Sequence, residues 1–96
     1  MKEYTKTGRS CRVTFSLPND IPADEVFLVG DFNDWDPSKH PLKGGKRGDF
    51  KITISLKPGQ AYSFRYLIDG ERWENDWQAD AYSSNPYGTE NSIVTV

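Results

Sequence analysis

The sequence predicts an all-β chain folded as an antiparallel sandwich of about six to eight short strands. Three observations lead there. Apolar and polar residues alternate through three separate stretches, the period-two pattern of strands with one buried face. Turn chemistry recurs roughly every ten residues. No stretch carries the 3.6-residue apolar period of a helix. Trp73, Trp77 and Ala81 are spaced by four, but their Asn and Asp neighbours allow at most one turn.

Each element follows from local chemistry. Residues 1–10 are polar and form a loose N-terminal segment. Cys11-Arg-Val-Thr-Phe-Ser-Leu17 places Cys11, Val13, Phe15 and Leu17 on one face of a half-buried strand. Pro18-Asn-Asp-Ile-Pro22 is a turn. Glu25-Val-Phe-Leu-Val-Gly30 is a short apolar run, suited to a strand covered on both faces or to an irregular edge. Residues 31–48, rich in Gly, Pro, Asn and Asp, form a long structured loop with one turn near Trp35-Asp36-Pro37.

Residues 49–56 are the clearest strand, with Phe50, Ile52, Ile54 and Leu56 inward and Lys51, Thr53 and Ser55 outward. Lys57-Pro-Gly-Gln60 has the type II turn pattern. Residues 61–69 alternate again: Tyr62, Phe64, Tyr66 and Ile68 share one face, and Ser63, Arg65, Leu67 and Asp69 the other. Asp69-Gly70 is a hairpin turn returning into Glu71-Arg-Trp73. Residues 74–89 are polar and broken by Pro86 and Gly88, and residues 91–96 make a final β-branched strand.

Ninety-six residues imply one domain, a sandwich over residues 11–96 behind the loose segment 1–10. Hydrophobic residues are 35% of the chain, so the 14% that are aromatic must supply much of the apolar area. A net charge of −2 argues against a nucleic-acid partner. No apolar run of about 18 residues exists, so no membrane partner is expected. The start, MKEYTKTGRS, lacks the apolar stretch of a secretory signal, and the single Cys11 cannot close an internal disulfide. A monomer in the reduced cytoplasm is the expectation.

Chemistry-bearing clusters are sparse. Asp31-Phe-Asn-Asp-Trp-Asp36 invites a calcium reading, but an EF-hand-type loop needs an oxygen ligand at position 5, Gly at 6 and Glu at 12, where Trp35, Asp36 and Leu42 stand. The Asp and Asn side chains are instead expected to bond their own backbone and shape the loop. Zinc lacks ligands beyond Cys11, read as a small core residue, and His40, read as a solvated loop residue. Asp69, Glu71, Glu74, Asp76 and Asp80 read as solvated carboxylates, because a glycosidase pair needs a cleft that a single small sandwich rarely provides. Lys43, Lys46 and Arg47 among glycines read as a solvated loop. No metal, no cofactor and no catalysis are expected.

The tryptophans stand apart. Trp35 lies between two aspartates, Trp73 follows a charged hairpin, and Trp77 sits between Asp76 and Gln78. An indole in polar surroundings suits an amphipathic ligand such as a sugar ring, whose C–H face the indole covers while polar groups bond the hydroxyl rim. Covering ~100 Å² of apolar area at ~25 cal/mol/Å² is worth roughly 2.5 kcal/mol per ring before costs. The competing reading is that each Trp anchors its own loop.

Val26-Phe-Leu-Val-Gly-Asp-Phe-Asn-Asp-Trp35, Phe64-Arg-Tyr-Leu-Ile-Asp-Gly70, Asn75-Asp76 and Gly88-Thr-Glu-Asn91, in that order, resemble one family. It is the glycogen-binding carbohydrate module of the AMP-activated kinase β subunit, which also supplies the N-terminal early-set domains of isoamylases and glycogen branching enzymes. The resemblance runs from about Arg12 to Val96, and the isoamylase-like branch is nearest through Arg-Tyr-Leu-Ile-Asp-Gly-Glu-Arg-Trp73. It implies an immunoglobulin-like sandwich and a carbohydrate site made by Trp35, Arg65, Trp73 and Asn91, with Thr89 and Tyr87 at neighbouring contacts. Arg65 stands where the kinase-type module has Lys, and Trp73 is displaced by one inserted residue. Trp77 stands where many relatives carry Pro, as a replacement platform or a loop anchor.

The implied function is non-catalytic binding of α-1,4-glucan, whether glycogen, starch or maltooligosaccharide. The alternative is a protein-interaction module that docks on a glycogen-metabolism enzyme in trans without binding sugar itself. Exposure of Trp35 and Trp73 side by side on one face favours sugar; burial against the sandwich favours docking.

Overall fold

Alternation needs a second apolar surface to bury its inward residues, and two sheets supply it. The structure, a computed structural model, describes residues 2–4, 9–17, 23–44, 50–76, 79–86 and 88–96. It is an all-β antiparallel sandwich. In chain order the strands are β1 (Lys2–Tyr4), β2 (Cys11–Leu17), β3 (Val26–Gly30), β4 (Phe50–Leu56), β5 (Ala61–Ile68), β6 (Arg72–Glu74), β7 (Ala81–Ser84) and β8 (Glu90–Thr95). A 3-10 turn, Asp31–Asn33, follows β3. One sheet has the order β1-β2-β4; the other runs β3-β5-β8-β7, with β6 also on β5.

Register puts the apolar faces in line. Cys11 pairs with Leu56, Val13 with Ile54, Phe15 with Ile52 and Leu17 with Phe50. Across the sandwich, Leu28 pairs with Tyr66 and Val26 with Ile68, and Tyr62 with Val94. The core is therefore Cys11, Val13, Phe15 and Leu17 against Val26, Leu28, Phe64, Tyr66, Ile68 and Val94, closed by Phe50, Leu56, Leu42 and Val96. Aromatic rings meet at its centre: Phe15 and Phe64 lie edge to face at 4.9 Å, and Phe64 and Tyr66 at 5.9 Å. Cys11 is a buried free thiol within this core.

β3 resolves an alternative left by the sequence. Leu28 and Val29 point to opposite faces and both are fully buried, so the strand is covered on both sides. Nor is its outer edge bare. Leu28 N donates to His40 O and Leu42 N to Val26 O, so the chain after the turn runs back along β3. Lys43 then exchanges both backbone hydrogen bonds with Lys51 of β4, tying one sheet to the other.

The expected turns appear. Gly59 has φ 82°, as the third residue of a type II turn requires. Asp69 and Gly70 have φ 54° and 70°, the left-handed pair of a type I′ hairpin, closed by Glu71 N donating to Ile68 O. The Asp69 carboxylate also accepts the backbone N–H groups of Asp24 and Glu25, both at 2.9 Å, which holds its pKa below the ordinary 3.8; nearby Arg72 adds to this. A depressed folded-state pKa stabilises the fold above the ordinary value and ceases to as pH falls through the folded value. Asp69→Asn keeps one oxygen for both donors but removes the titration. Its unfolding midpoint is therefore expected to fall less than wild type's between about pH 5 and pH 2, measured by thermal melts across that range.

Strands β1 and β7 carry no apolar alternation in the sequence. β1 pairs with β2, Lys2 opposite Val13. β7 pairs with β8 although all four of its residues are exposed. The stretch leading to β7 is fastened by a chain of polar contacts. The Tyr66 hydroxyl lies 2.9 Å from Asp76 Oδ2 and 3.3 Å from Ser16 O. Burial, and then the Asp76 carboxylate, push this phenol far up, so it remains a proton donor. Asp76 N donates to the fully buried Ser92 Oγ, which donates to Asn75 Oδ1, and Asn75 Nδ2 donates to Glu90 O. Asp76 is thus a structural acceptor, where a solvated carboxylate was expected.

Candidate carbohydrate-binding groove

The groove begins where β3 ends. Gly30 stands opposite Phe64 on β5, and a Cβ there would lie 2.5 Å from Ser63 O and 2.8 Å from Phe64 Cβ. Only glycine lets the two strands close at this point. Gly30→Ala is expected to cost about 1–3 kcal/mol of stability through this overlap, read from urea unfolding.

Beyond Gly30 the chain makes its 3-10 turn, and Phe32 drops from it onto the core, 5.6 Å from the Phe15 ring. Asn33 is buried and locks the turn: its Oδ1 accepts Gly30 N–H at 3.0 Å and its Nδ2 donates to Leu28 O at 2.9 Å. Those two bonds fix which amide atom is nitrogen. His40 Nδ1, 2.8 Å from Asn33 Nδ2, must then be an acceptor, which places the ring proton on Nε2. His40 is therefore a half-buried brace behind Asn33, and not the solvated loop residue its neighbours Lys39 and Pro41 led us to expect. Asp36 accepts both the N–H and hydroxyl of Ser38, which lower its pKa. The loop's Asp and Asn side chains do shape it, as expected.

This bracing holds a costly backbone. Asp34 and Trp35 both have φ 57°, a left-handed pair without glycine, and each such residue costs of order 1–3 kcal/mol. Trp35 N donates to Gly30 O at 2.9 Å, and Trp35 Nε1 donates to Asp31 Oδ1 at 2.9 Å. The second Asp31 oxygen accepts Ser63 N–H of β5 at 2.8 Å.

β5 supplies the floor. β8 pairs with Ala61–Phe64 and β6 with Tyr66–Ile68 on the edge opposite β3. Arg65 thus lies at the junction of β6 and β8, on the face turned away from Phe64 and Tyr66, as alternation required. Trp73, opposite Leu67 on β6, is 44% exposed. The Arg65 guanidinium carbon stands 5.5 Å from the Trp73 ring centroid, a cation–π contact that steadies a half-exposed indole. On β8, Asn91 accepts from Asn85 Nδ2 at 3.2 Å.

Trp35, Arg65, Trp73 and Asn91, separate in sequence, line one open groove of about 380 Å³, together with Asp31, Ser63, Asn85 and Pro86. Thr89 does not line it; its hydroxyl and N–H bond the Asn85 side chain. Tyr87 and Trp77 lie outside the described residues. Of the other lining residues, Ser63 and Asn85 carry no mark in the sequence, Asp31 is legible there only as a loop-shaping carboxylate and Pro86 only as a break in the chain. No group of three His, Cys, Asp or Glu side chains that could hold a metal occurs among the described residues. No helix among them is long and apolar enough to cross a membrane.

Compared with known families, residues 12–96 match the glycogen recognition site of AMP-activated protein kinase. The chain belongs to this family. The match covers every residue that lines the groove. The domain is 37% identical over 75 residues to Protein FLOURY ENDOSPERM 6, chloroplastic, of Oryza sativa subsp. japonica, covering 78% of this chain and 13% of the rice protein. It is 35% identical over 68 residues to the 1,4-alpha-glucan branching enzyme GlgB of Deinococcus radiodurans, covering 70% of this chain and 9% of that enzyme. It is 40% identical over 60 residues to the GlgB of Thiobacillus denitrificans, covering 60% and 8%. The chain thus spans a small part of the relatives it matches.

Proposed function

We propose that this domain binds α-1,4-glucan in the groove, with Trp35 and Trp73 covering C–H faces of glucose units and Arg65 and Asn91 bonding the hydroxyl rim. The observation that carries the reading is the meeting of two tryptophans, a cation and an amide in one open groove. Branching enzymes named for 1,4-alpha-glucan among the relatives favour that ligand. The domain acts by binding and not by catalysis, as a monomer in the cytoplasm, where Cys11 stays a thiol. Arg65 steadies Trp73 and offers a planar fork of donors where Lys would offer a point charge.

Titration with maltoheptaose, followed by tryptophan fluorescence, tests this. A saturable response below millimolar sugar is expected, and none with a β-linked glucan of equal length. No saturation at millimolar maltoheptaose removes the proposal. Stable association of the unresponsive domain with a glycogen-metabolism enzyme in trans would then establish the docking role instead. Trp73 is exposed and Trp35 half-buried, and the lining of one groove by both favours sugar.

A further inference from the structure

The geometry points to Asp31 as the positioning residue of the groove, a role that rests on the binding reading above. Asp31 Oδ1 accepts the Trp35 indole N–H and Asp31 Oδ2 accepts the Ser63 backbone N–H. One carboxylate therefore fastens a ring on a loop to the strand that carries Arg65. The Ser63 N–H lies one residue beyond the end of β3, where Gly30 pairs with Phe64, so Asp31 takes the place of a missing strand partner. The ring needs this fastening because the loop below it is strained at Asp34 and Trp35.

The side chain's identity follows from the donors it meets. Two N–H groups approach two different oxygens, and only a carboxylate accepts at both. Asparagine would turn its own NH2 toward either the indole N–H or the Ser63 N–H, donor against donor. Glutamate, one methylene longer, would displace one of the two bonds. With its N–H engaged, the Trp35 indole keeps a single orientation in the groove, so glucan need not immobilise it on binding. Releasing a side chain of this kind adds an ordering cost on association, expected to weaken binding roughly 3- to 10-fold.

The test compares wild type, Asp31→Ala, Asp31→Asn, Trp35→Phe and the double variant Asp31→Ala/Trp35→Phe by maltoheptaose titration, with the Trp35 indole N–H resonance as a direct reporter. Expected are a roughly 3- to 10-fold loss in both Asp31 variants, a shift and faster solvent exchange of the Trp35 indole proton, and little further loss when Asp31→Ala is added to Trp35→Phe. Asp31→Asn, nearly isosteric, carries the comparison if Asp31→Ala does not fold. Wild-type affinity in Asp31→Asn, an unmoved indole resonance, or an equal loss from Asp31→Ala with and without the indole N–H overturns the positioning role. Wild type that takes up no maltoheptaose overturns the binding reading, a result distinguishable from wild type and Asp31→Asn binding alike.

Discussion

Trp35→Ala is expected to weaken maltoheptaose binding roughly 70-fold, the equivalent of ~2.5 kcal/mol for one indole covering ~100 Å² of apolar sugar surface. Stability should fall by only about 1 kcal/mol. The ring lines the groove and is not part of the core, whereas the loop's own anchor is Phe32 beside Phe15. The left-handed backbone at residue 35 remains with alanine, and only the bond to Asp31 goes with the indole. Isothermal titration and urea unfolding of the same variant separate the two quantities. A loss of several kcal/mol in stability with undiminished affinity of the folded fraction would mean that Trp35 anchors its loop and does not meet sugar.

Phe64→Ala has the largest expected effect on stability. Phe64 is 2% exposed, stands edge to face with Phe15 and contacts Tyr66 on its own strand. Removing a ring from such a site costs about 3–5 kcal/mol through lost burial and the cavity left behind, a large share of the 5–15 kcal/mol typical of a domain. The groove should be lost with it, because β5 presents Ser63 and Arg65 on its other face. Phe64→Leu, which refills part of the volume, should cost about half as much or less. Urea midpoints at unchanged slope would check both. A Phe64→Ala cost near 1 kcal/mol would show that the two sheets do not meet through this ring.

These variants rest on parts of the molecule that differ in how they are written into the chain. β2, β4 and β5 alternate, and their inward residues build the core, with Ile52, Ile54 and Tyr62 half-buried at its margin; Leu67, on the outward face of β5, is buried as well. The Asp69-Gly70 hairpin was legible because two left-handed residues in succession favour that dipeptide. Trp35, Arg65, Trp73 and Asn91 were legible through motifs of a family, and they do converge on one groove. What was not legible depends on contacts at long sequence separation. β7 is an exposed Ala-Tyr-Ser-Ser, with no apolar period, held by backbone pairing to β8. His40 has no sequence neighbour that reveals Asn33. Asp31 looks like one loop carboxylate among several until Ser63, thirty-two residues away, is brought to it by the β3–β5 pairing.

The most direct measurement is a map of chemical-shift changes over the whole domain on titration with maltoheptaose. The account predicts saturable shifts at the indole protons of Trp35 and Trp73 and at the amides of Ser63, Arg65 and Asn91, with the face formed by β1, β2 and β4 undisturbed. Shifts centred on that opposite face, or no saturable shift anywhere at millimolar sugar, would contradict it.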